Sequence, residues 1–335
     1  MLSHGPATPR FAFLVHPLSP FHRRLLGLRR MDPRMAMGRS DGTGAGDVGR
    51  IAEVGIPGVA MGDIVSISLD PEQMLSDQML ALTRMWRAVN LVPEARVVGL
   101  GSLCAVVAGR GEELASRVSV PVTTGGAATA WALHRNTRSV LEILERPRGP
   151  VAVVGSNSPV GRAVSAMLAE DGVAVRVDNR RGGHGLPVTV ADGPDQAARG
   201  CPVVVGAGPT GGTLSPQALA PRAVVVDVAL PGIVSGPLPP GVRLLAGEAV
   251  LPPPTWRRHV WGRLFHVFAG YGPRQVFACL VEPLVAVAIG RDRPYALGRK
   301  VEVADVRELA REAEALGFHP RLARGWWGVP ARRLV

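Results

Sequence analysis

Apolar runs bounded by glycine and proline turns divide this chain into short strands and longer helices. Phe11-Ala-Phe-Leu-Val15 is continuously apolar and predicts a strand that leads into His16-Pro-Leu-Ser-Pro20. Ile64-Val-Ser-Ile-Ser-Leu69 alternates with period two and predicts another. Asp70, Pro71 and Gln73 then supply an N-cap, a proline at the first helical position and a capping-box partner, so a helix is expected to about Asn90. Val97 to Val107 reads as a strand broken by Gly99 and Gly101. Pro121-Val-Thr-Thr-Gly-Gly126 reads as a strand or turn entering a long helix, about 127–144. Residues 1–10 read as a loose tail, and the basic, glycine-rich segment from Arg23 to Arg50 as a mobile loop.

The second half opens on the most informative stretch, Val151-Ala-Val-Val-Gly-Ser-Asn-Ser-Pro-Val-Gly161. Four apolar residues suit a parallel strand covered on both faces. Gly155 permits a tight turn, and Gly161 lets the next helix pack close while its N-terminal amides face a pyrophosphate. Ser158 stands where the middle glycine of a dinucleotide fingerprint usually falls, and Pro159 follows it. Val173-Ala-Val-Arg-Val-Asp178 reads as the next strand and ends on an acid placed for a ribose, which favours NAD; Arg180 and Arg181 just beyond suit the 2′-phosphate of NADP. Strands at Pro202-Val-Val-Val-Gly206 and Ala223-Val-Val-Val-Asp227 complete a doubly wound parallel α/β sheet of Rossmann type. The candidate cofactor residues are Gly155, Ser156, Asn157, Ser158, Val160, Gly161, Asp178, Asn179, Arg180, Gly206 and Ala207. A proline-rich region, 231–254, an apolar helix at 274–289 and a polar helix from about Val303 to Leu316, closed by Gly317, follow.

Three domains are expected: a substrate domain over 1–146, a dinucleotide-binding domain over 147–272, and C-terminal helices over 273–335 that return to the substrate side. The linker Arg146-Pro-Arg-Gly-Pro150 marks the first boundary. A length of 335 residues and a hydrophobic content of 47% suit such a core. The net charge of +11 is carried almost wholly by arginine, Lys300 being the one lysine. With few aromatics and no nucleic-acid module, the charge fits an acidic protein partner better than nucleic acid. Cys104, Cys201 and Cys279 are too few and too irregular for a disulfide framework or a zinc site, and His259 and His266 lack neighbours at ligand spacing, so a cytoplasmic chain without a metal is expected. Val276 to Ile289 carries Glu282 and Pro283 and falls short of the about 20 residues a bilayer demands; only shallow peripheral membrane contact stays open.

Several segments in order resemble the cyanobacterial long-chain acyl-(acyl-carrier-protein) reductases. They are Phe11 to His16 with Ser19, Leu69-Asp-Pro-Glu72, Leu100-Gly101, Thr123-Thr-Gly125 with Thr129-Ala130, the loop 155–161, Arg274-Gln-Val-Phe-Ala-Cys-Leu-Val-Glu282, and Gly317-Phe318. The resemblance implies a substrate domain beside a Rossmann domain, reduced nicotinamide as cofactor (NADPH or NADH), and an acyl carrier protein or other acyl thioester donor as partner. It also implies reduction of the acyl group to an aldehyde through a thioester on Cys279. Ser158, Asp178 and Gly126-Ala-Ala128 depart from the family pattern at the nucleotide loop, at the second strand and after the Thr-Thr-Gly.

A thiolate exchanges readily with a thioester, which makes Cys279 the candidate nucleophile, although a cysteine among Val276, Phe277, Ala278 and Leu280 also suits a core. Arg274 and the start of the expected helix would lower its pKa weakly, since Cys279 falls more than one turn inside. His16 either donates to an acyl carbonyl or is a loop histidine with a backbone partner. Thr123 and Thr124 either cap the following helix or face the nicotinamide, and Thr124 is the candidate of the pair. Glu282 reads first as a partner for Arg274 or a neighbouring arginine. Cys104 and Cys201 read as structural, and His134 as solvated or capping. Two alternatives stand beside the reductase: a two-domain dehydrogenase of a small polar substrate, which wants a lysine and aspartate pair in the first domain, and a non-catalytic nucleotide-binding relative.

Overall fold

The computed structural model describes residues 7–17, 48–208, 211–229, 232–258 and 275–324. Ser19, most of the basic segment 23–50, His259, His266 and Arg274 lie outside the described residues. The chain divides into two units, the first made of Met1–Gly125, Pro253–Phe265 and Cys279–Gly298, the second of Gly126–Pro252, His266–Ala278 and Arg299–Val335. The expected boundary at 146 therefore moves back to Gly125. Helix Gly126–Ile143 packs on helices Pro159–Glu170 and Val303–Ala315, which makes it a wall of the nucleotide-type unit. The expected C-terminal domain is likewise shared between the two units.

The first unit is built on a mixed sheet of β1 (Arg10–Val15), β2 (Val48–Ile56), β3 (Ala60–Ile67), β4 (Ala95–Leu100) and β5 (Val122–Thr123), in the order β2-β3-β1-β4-β5, with Arg257–Arg258 antiparallel on the outer edge of β2. Strands β3, β1, β4 and β5 run parallel, so the carboxyl ends of β1, β4 and β5 stand side by side. The β2–β3 hairpin, turning at Pro57-Gly58, replaces what reads in sequence as the end of a loop. The expected capping box forms: Asp70 Oδ1 accepts from the Gln73 amide at 2.9 Å and Gln73 Oε1 from the Asp70 amide at 3.2 Å. That helix stops at Ser76, and Asp77 caps a fresh one, Gln78–Asn90, by accepting from the Leu80 amide at 2.9 Å. Ala81, Leu82, Met85 and Ala88 pack this helix onto Leu14, Val65 and Ile67 of the sheet.

The second unit carries β6 (Val151–Val154), β7 (Val175–Val177), β8 (Thr189–Val190), β9 (Val203–Gly206), β10 (Val224–Asp227) and β11 (Arg243–Ala246). Their order is β11-β10-β9-β6-β7-β8, all parallel, with Ala323–Arg324 added antiparallel beside β11. Numbered from β6, this is the 3-2-1-4-5-6 arrangement of the Rossmann fold, and it turns back on itself between β6 and β9, where such sheets open a ligand crevice. Strands β6, β9 and β10 are buried at every residue, as their unbroken valine runs require. The fold class is thus a doubly wound parallel α/β sheet with a separate N-terminal α/β unit.

Candidate functional site

In the second unit, Gly155 ends β6 at φ +82°, and a side chain there would sit within 2.6 Å of the Gly208 α-carbon. A side chain at Gly161 would come within 2.9 Å of the Ser156 α-carbon. Both glycines therefore serve close backbone approach, the cradle that a dinucleotide pyrophosphate uses. Ser158 does more than replace a glycine. It caps helix Pro159–Glu170 by accepting from the Gly161 amide at 2.9 Å, and its hydroxyl donates to the Ala207 carbonyl at 2.6 Å, fastening the β6 loop to the β9 loop. Asn157 is exposed, Val160 half-buried, and Gly206 packs against the Asp227 carboxylate.

Asp178, at the end of the second strand of this sheet, binds the loop itself. Its Oδ2 accepts from the Gly155 amide at 2.8 Å, and Oδ1 from the Ser156 amide at 3.0 Å and the Ser156 hydroxyl at 2.5 Å. Asn179 caps the short turn Arg180–Gly183 by accepting from the Arg181 amide at 2.8 Å, and Arg180 and Arg181 are exposed. Asp227 is a group that sequence reasoning passed over. It is buried, accepts from the Ala229 and Ile233 amides at 2.8 and 2.7 Å, and is pushed up to about 7 by burial against the pull of those amides. Its position closing a valine run was the available signal.

In the first unit, Cys279 is the second residue of helix Ala278–Ala288, directly after the short strand Val276–Phe277. This corrects the expectation that it lies more than a turn inside. An apolar run cannot by periodicity alone separate two residues of strand from a helix. Gly125, at φ +74°, is pressed against it: a side chain on Gly125 would sit 2.7 Å from the Cys279 α-carbon and closer still to its β-carbon. One turn on, Glu282 is fully buried and accepts from the Thr123 hydroxyl and, at 3.1 Å, from the Gly125 amide. The expected arginine partner Arg274 lies outside the described residues.

The Thr123 hydroxyl is thus drawn into the buried carboxylate. The Ala296 carbonyl accepts from the Thr124 amide at 2.9 Å and from the Thr124 hydroxyl at 3.4 Å. Cys104 is buried, which pushes its thiol up to about 12, and burial also raises Cys201, whereas Cys279 is only half-buried.

His16 is buried between two sets of partners. Its Nδ1–H donates to the Pro17 carbonyl at 2.9 Å, and its Nε2 accepts from the Leu103 amide at 3.3 Å and the Ser102 hydroxyl at 3.2 Å. Burial lowers its pKa to about 4, so the ring is neutral near pH 7 with its one proton committed to the backbone. His134, in the second unit, pairs with Asp171 at 2.8 Å and links helix Gly126–Ile143 to the end of helix Pro159–Glu170.

The fold and the glycine cradle define a chain with one unit of Rossmann type and a second α/β unit. No family model matches it. Among curated proteins it is 28% identical over 278 residues to aminotransferase PigE of Serratia sp. (strain ATCC 39006), covering 77% of this chain and 32% of that protein. The chain spans about a third of the length of that curated relative. Among solved structures it is similar to L-tryptophan dehydrogenase from Nostoc punctiforme, with TM-score 0.39 and 12% identity over 91% of this chain and 80% of that one. It is also similar to the hetero-hexameric glutamate dehydrogenase from Thermus thermophilus, with TM-score 0.35 and 15% identity over 76% and 65% of the two chains. Among the described residues, no helix is long and apolar enough to cross a membrane.

Proposed function

We propose that this chain is an NAD(P)H-dependent oxidoreductase that reduces an acyl thioester, delivered by a carrier protein or as a coenzyme A ester, to an aldehyde. The observation that carries the reading is the seat of Cys279: a half-buried thiol in the first turn of a helix, backed by Gly125 at the carboxyl end of a parallel strand. Helix amides in a first turn favour a thiolate. In the proposed reaction the Cys279 thiolate attacks the thioester carbonyl carbon, a new carbon–sulfur bond forms, and collapse of the oxyanion expels the carrier thiolate, which takes up a proton. Bound reduced nicotinamide supplies a hydride. With that hydride on the acyl carbon, the carbon–sulfur bond to Cys279 would break, so that the aldehyde would leave and Cys279 would return to the thiolate. Gly155, Ser158 and Gly161 would hold the pyrophosphate, with Asp178 and Arg180 on the adenosine side.

The name of the curated relative suggests a second chemistry. Transamination uses a lysine that forms a Schiff base with pyridoxal phosphate. The one lysine of this sequence, Lys300, is exposed, which counts against that chemistry in this chain.

Purified protein given an acyl thioester without reduced nicotinamide should gain one acyl mass on the peptide containing Cys279, and NADPH or NADH should discharge it as aldehyde. Cys279→Ala should do neither while still binding nucleotide; Cys104→Ala and Cys201→Ala should do both. Full aldehyde production by Cys279→Ala overturns the covalent route.

A further inference from the structure

We infer that Glu282 is a positioning residue for the reaction at Cys279: its buried carboxylate fastens the end of β5 to the helix that carries the nucleophile; this rests on the thioester reading above. Cys279 and Glu282 are three residues apart on helix Ala278–Ala288, a spacing that puts both on one face. That face meets Gly125 twice. A side chain on Gly125 would sit 2.7 Å from the Cys279 α-carbon, and the Gly125 amide donates to Glu282 Oε1 at 3.1 Å. The same oxygen accepts from the Thr123 hydroxyl.

The helix needs this outside hold because its own hydrogen bonding is interrupted. A helical carbonyl normally accepts from the amide four residues on, and for Cys279 that residue is Pro283, which has no N–H. The Cys279 carbonyl oxygen faces Gly125, 3.0 Å from where a side chain there would begin. The Pro283 ring packs against β4, 2.5 Å from where a side chain on Gly99 would begin, with the Phe13 ring 2.8 Å from the same point. Gly99 is paired with Thr123 across β4 and β5. The two strands therefore grip the turn of Cys279 through a proline ring on one and a carboxylate on the other.

Proton bookkeeping gives the direction of these bonds. The Ala296 amide donates to the Thr123 hydroxyl oxygen at 3.4 Å, which leaves the one Thr123 proton for either Glu282 or the Ala296 carbonyl at 3.2 Å. The carboxylate is the stronger acceptor. One line of hydrogen bonds thus runs from Ala296 through Thr123 to Glu282, and Gly125 joins it from the other side. Glu282 and Thr123 are both buried, so removing the acceptor oxygen releases the Gly125 amide and lets the end of β5 shift against Cys279. The role requires an oxygen that accepts, and glutamine supplies one as well as glutamate does.

The test uses the full chain, a short-chain acyl coenzyme A as probe, and mass detection of acyl-Cys279 in single-turnover experiments. Alkylation of Cys279 by iodoacetamide is followed in parallel, because it needs a reachable thiolate but little orientation. Glu282→Met should slow acylation about 100-fold, the usual cost of misplacing a reacting group by about 1 Å, while alkylation changes less than about threefold. Glu282→Gln should bring acylation back to within about threefold of wild type, since the acceptor oxygen is kept. Where Glu282→Met does not fold, Thr123→Val carries the test, with about a tenfold loss of acylation expected and alkylation again unchanged. Glutamine as slow as methionine, acylation and alkylation falling together, or wild-type acylation in Glu282→Met or Thr123→Val would overturn the inference and leave the thioester reading standing. Absence of acyl-Cys279 in the wild-type protein would overturn both.

Discussion

Gly125 gives its amide to the buried Glu282 carboxylate at 3.1 Å while its α-carbon faces Cys279 three residues earlier on the same helix. One glycine therefore sets the helix at both ends of its first turn. Its left-handed φ and the space it leaves empty are two independent reasons for the absence of a side chain.

The variant Gly125→Ala is expected to lose at least about 2 kcal/mol of stability, from strain at φ +74° together with the overlap with Cys279. Acylation should fall at least about tenfold even where the protein is folded, since a displacement of about 1 Å at a nucleophile is enough. Urea denaturation paired with acyl-mass kinetics checks both; an unchanged acylation rate in folded variant would detach Gly125 from the site.

Within the nucleotide unit, Gly161→Val should abolish binding of NADH and NADPH in a folded protein. The side chain would drive the helix away from Ser156 and break the seat of Ser158 between the Gly161 amide and the Ala207 carbonyl. Calorimetric titration that finds wild-type affinity would remove the cradle from this loop.

Much of this unit was legible because its signals are local. Unbroken valine runs mark buried parallel strands, and Gly155 and Gly161 mark a turn that no side chain can enter. The Asp70–Gln73 capping box was equally plain, being complete within four residues. Other features depend on distant partners. Strand β2 was hidden by the arginine and glycine content running up to Arg50, although Pro57-Gly58 between apolar stretches was a hairpin signal. The left-handed φ of Ser102 has no sequence signature, since its conformation is set by β1 and β4 around it. Cys279 stood out in sequence by resemblance; its place in the first helical turn depends on the strand before it.

Asp178 carries a prediction that the structure sharpens. Its carboxylate holds two loop amides and the Ser156 hydroxyl, so Asp178→Ala should loosen the cradle and weaken both nucleotides. NADH should lose more than NADPH, because the same substitution removes a negative charge that would repel a 2′-phosphate near Arg180. Titration of both nucleotides against wild type and variant reads the ratio. An NADH to NADPH affinity ratio that stays constant would mean that Asp178 serves only the loop.

The pH dependence of stability tests His16. Its folded pKa is lowered to about 4 from 6.5, so between those values the unfolded chain binds a proton that the folded protein refuses. Stability must then fall as the pH drops from about 6.5 to 4, by about 3 kcal/mol in total, and be fully present above that window. Asp227 has the opposite slope. Its pKa is raised from 3.8 to about 7, so its folded state prefers the proton and loses stability as the pH rises through that range. The two slopes offset each other in the wild-type curve, which hides the histidine. The difference between wild type and His16→Gln isolates it: measured by urea denaturation, wild type should lose about 3 kcal/mol more than the variant between pH 7 and pH 4. Parallel curves for the two proteins would mean that His16 takes up its proton in the folded state as readily as in the unfolded chain, and the neutral ring shared by Ser102 and Leu103 would have to be abandoned.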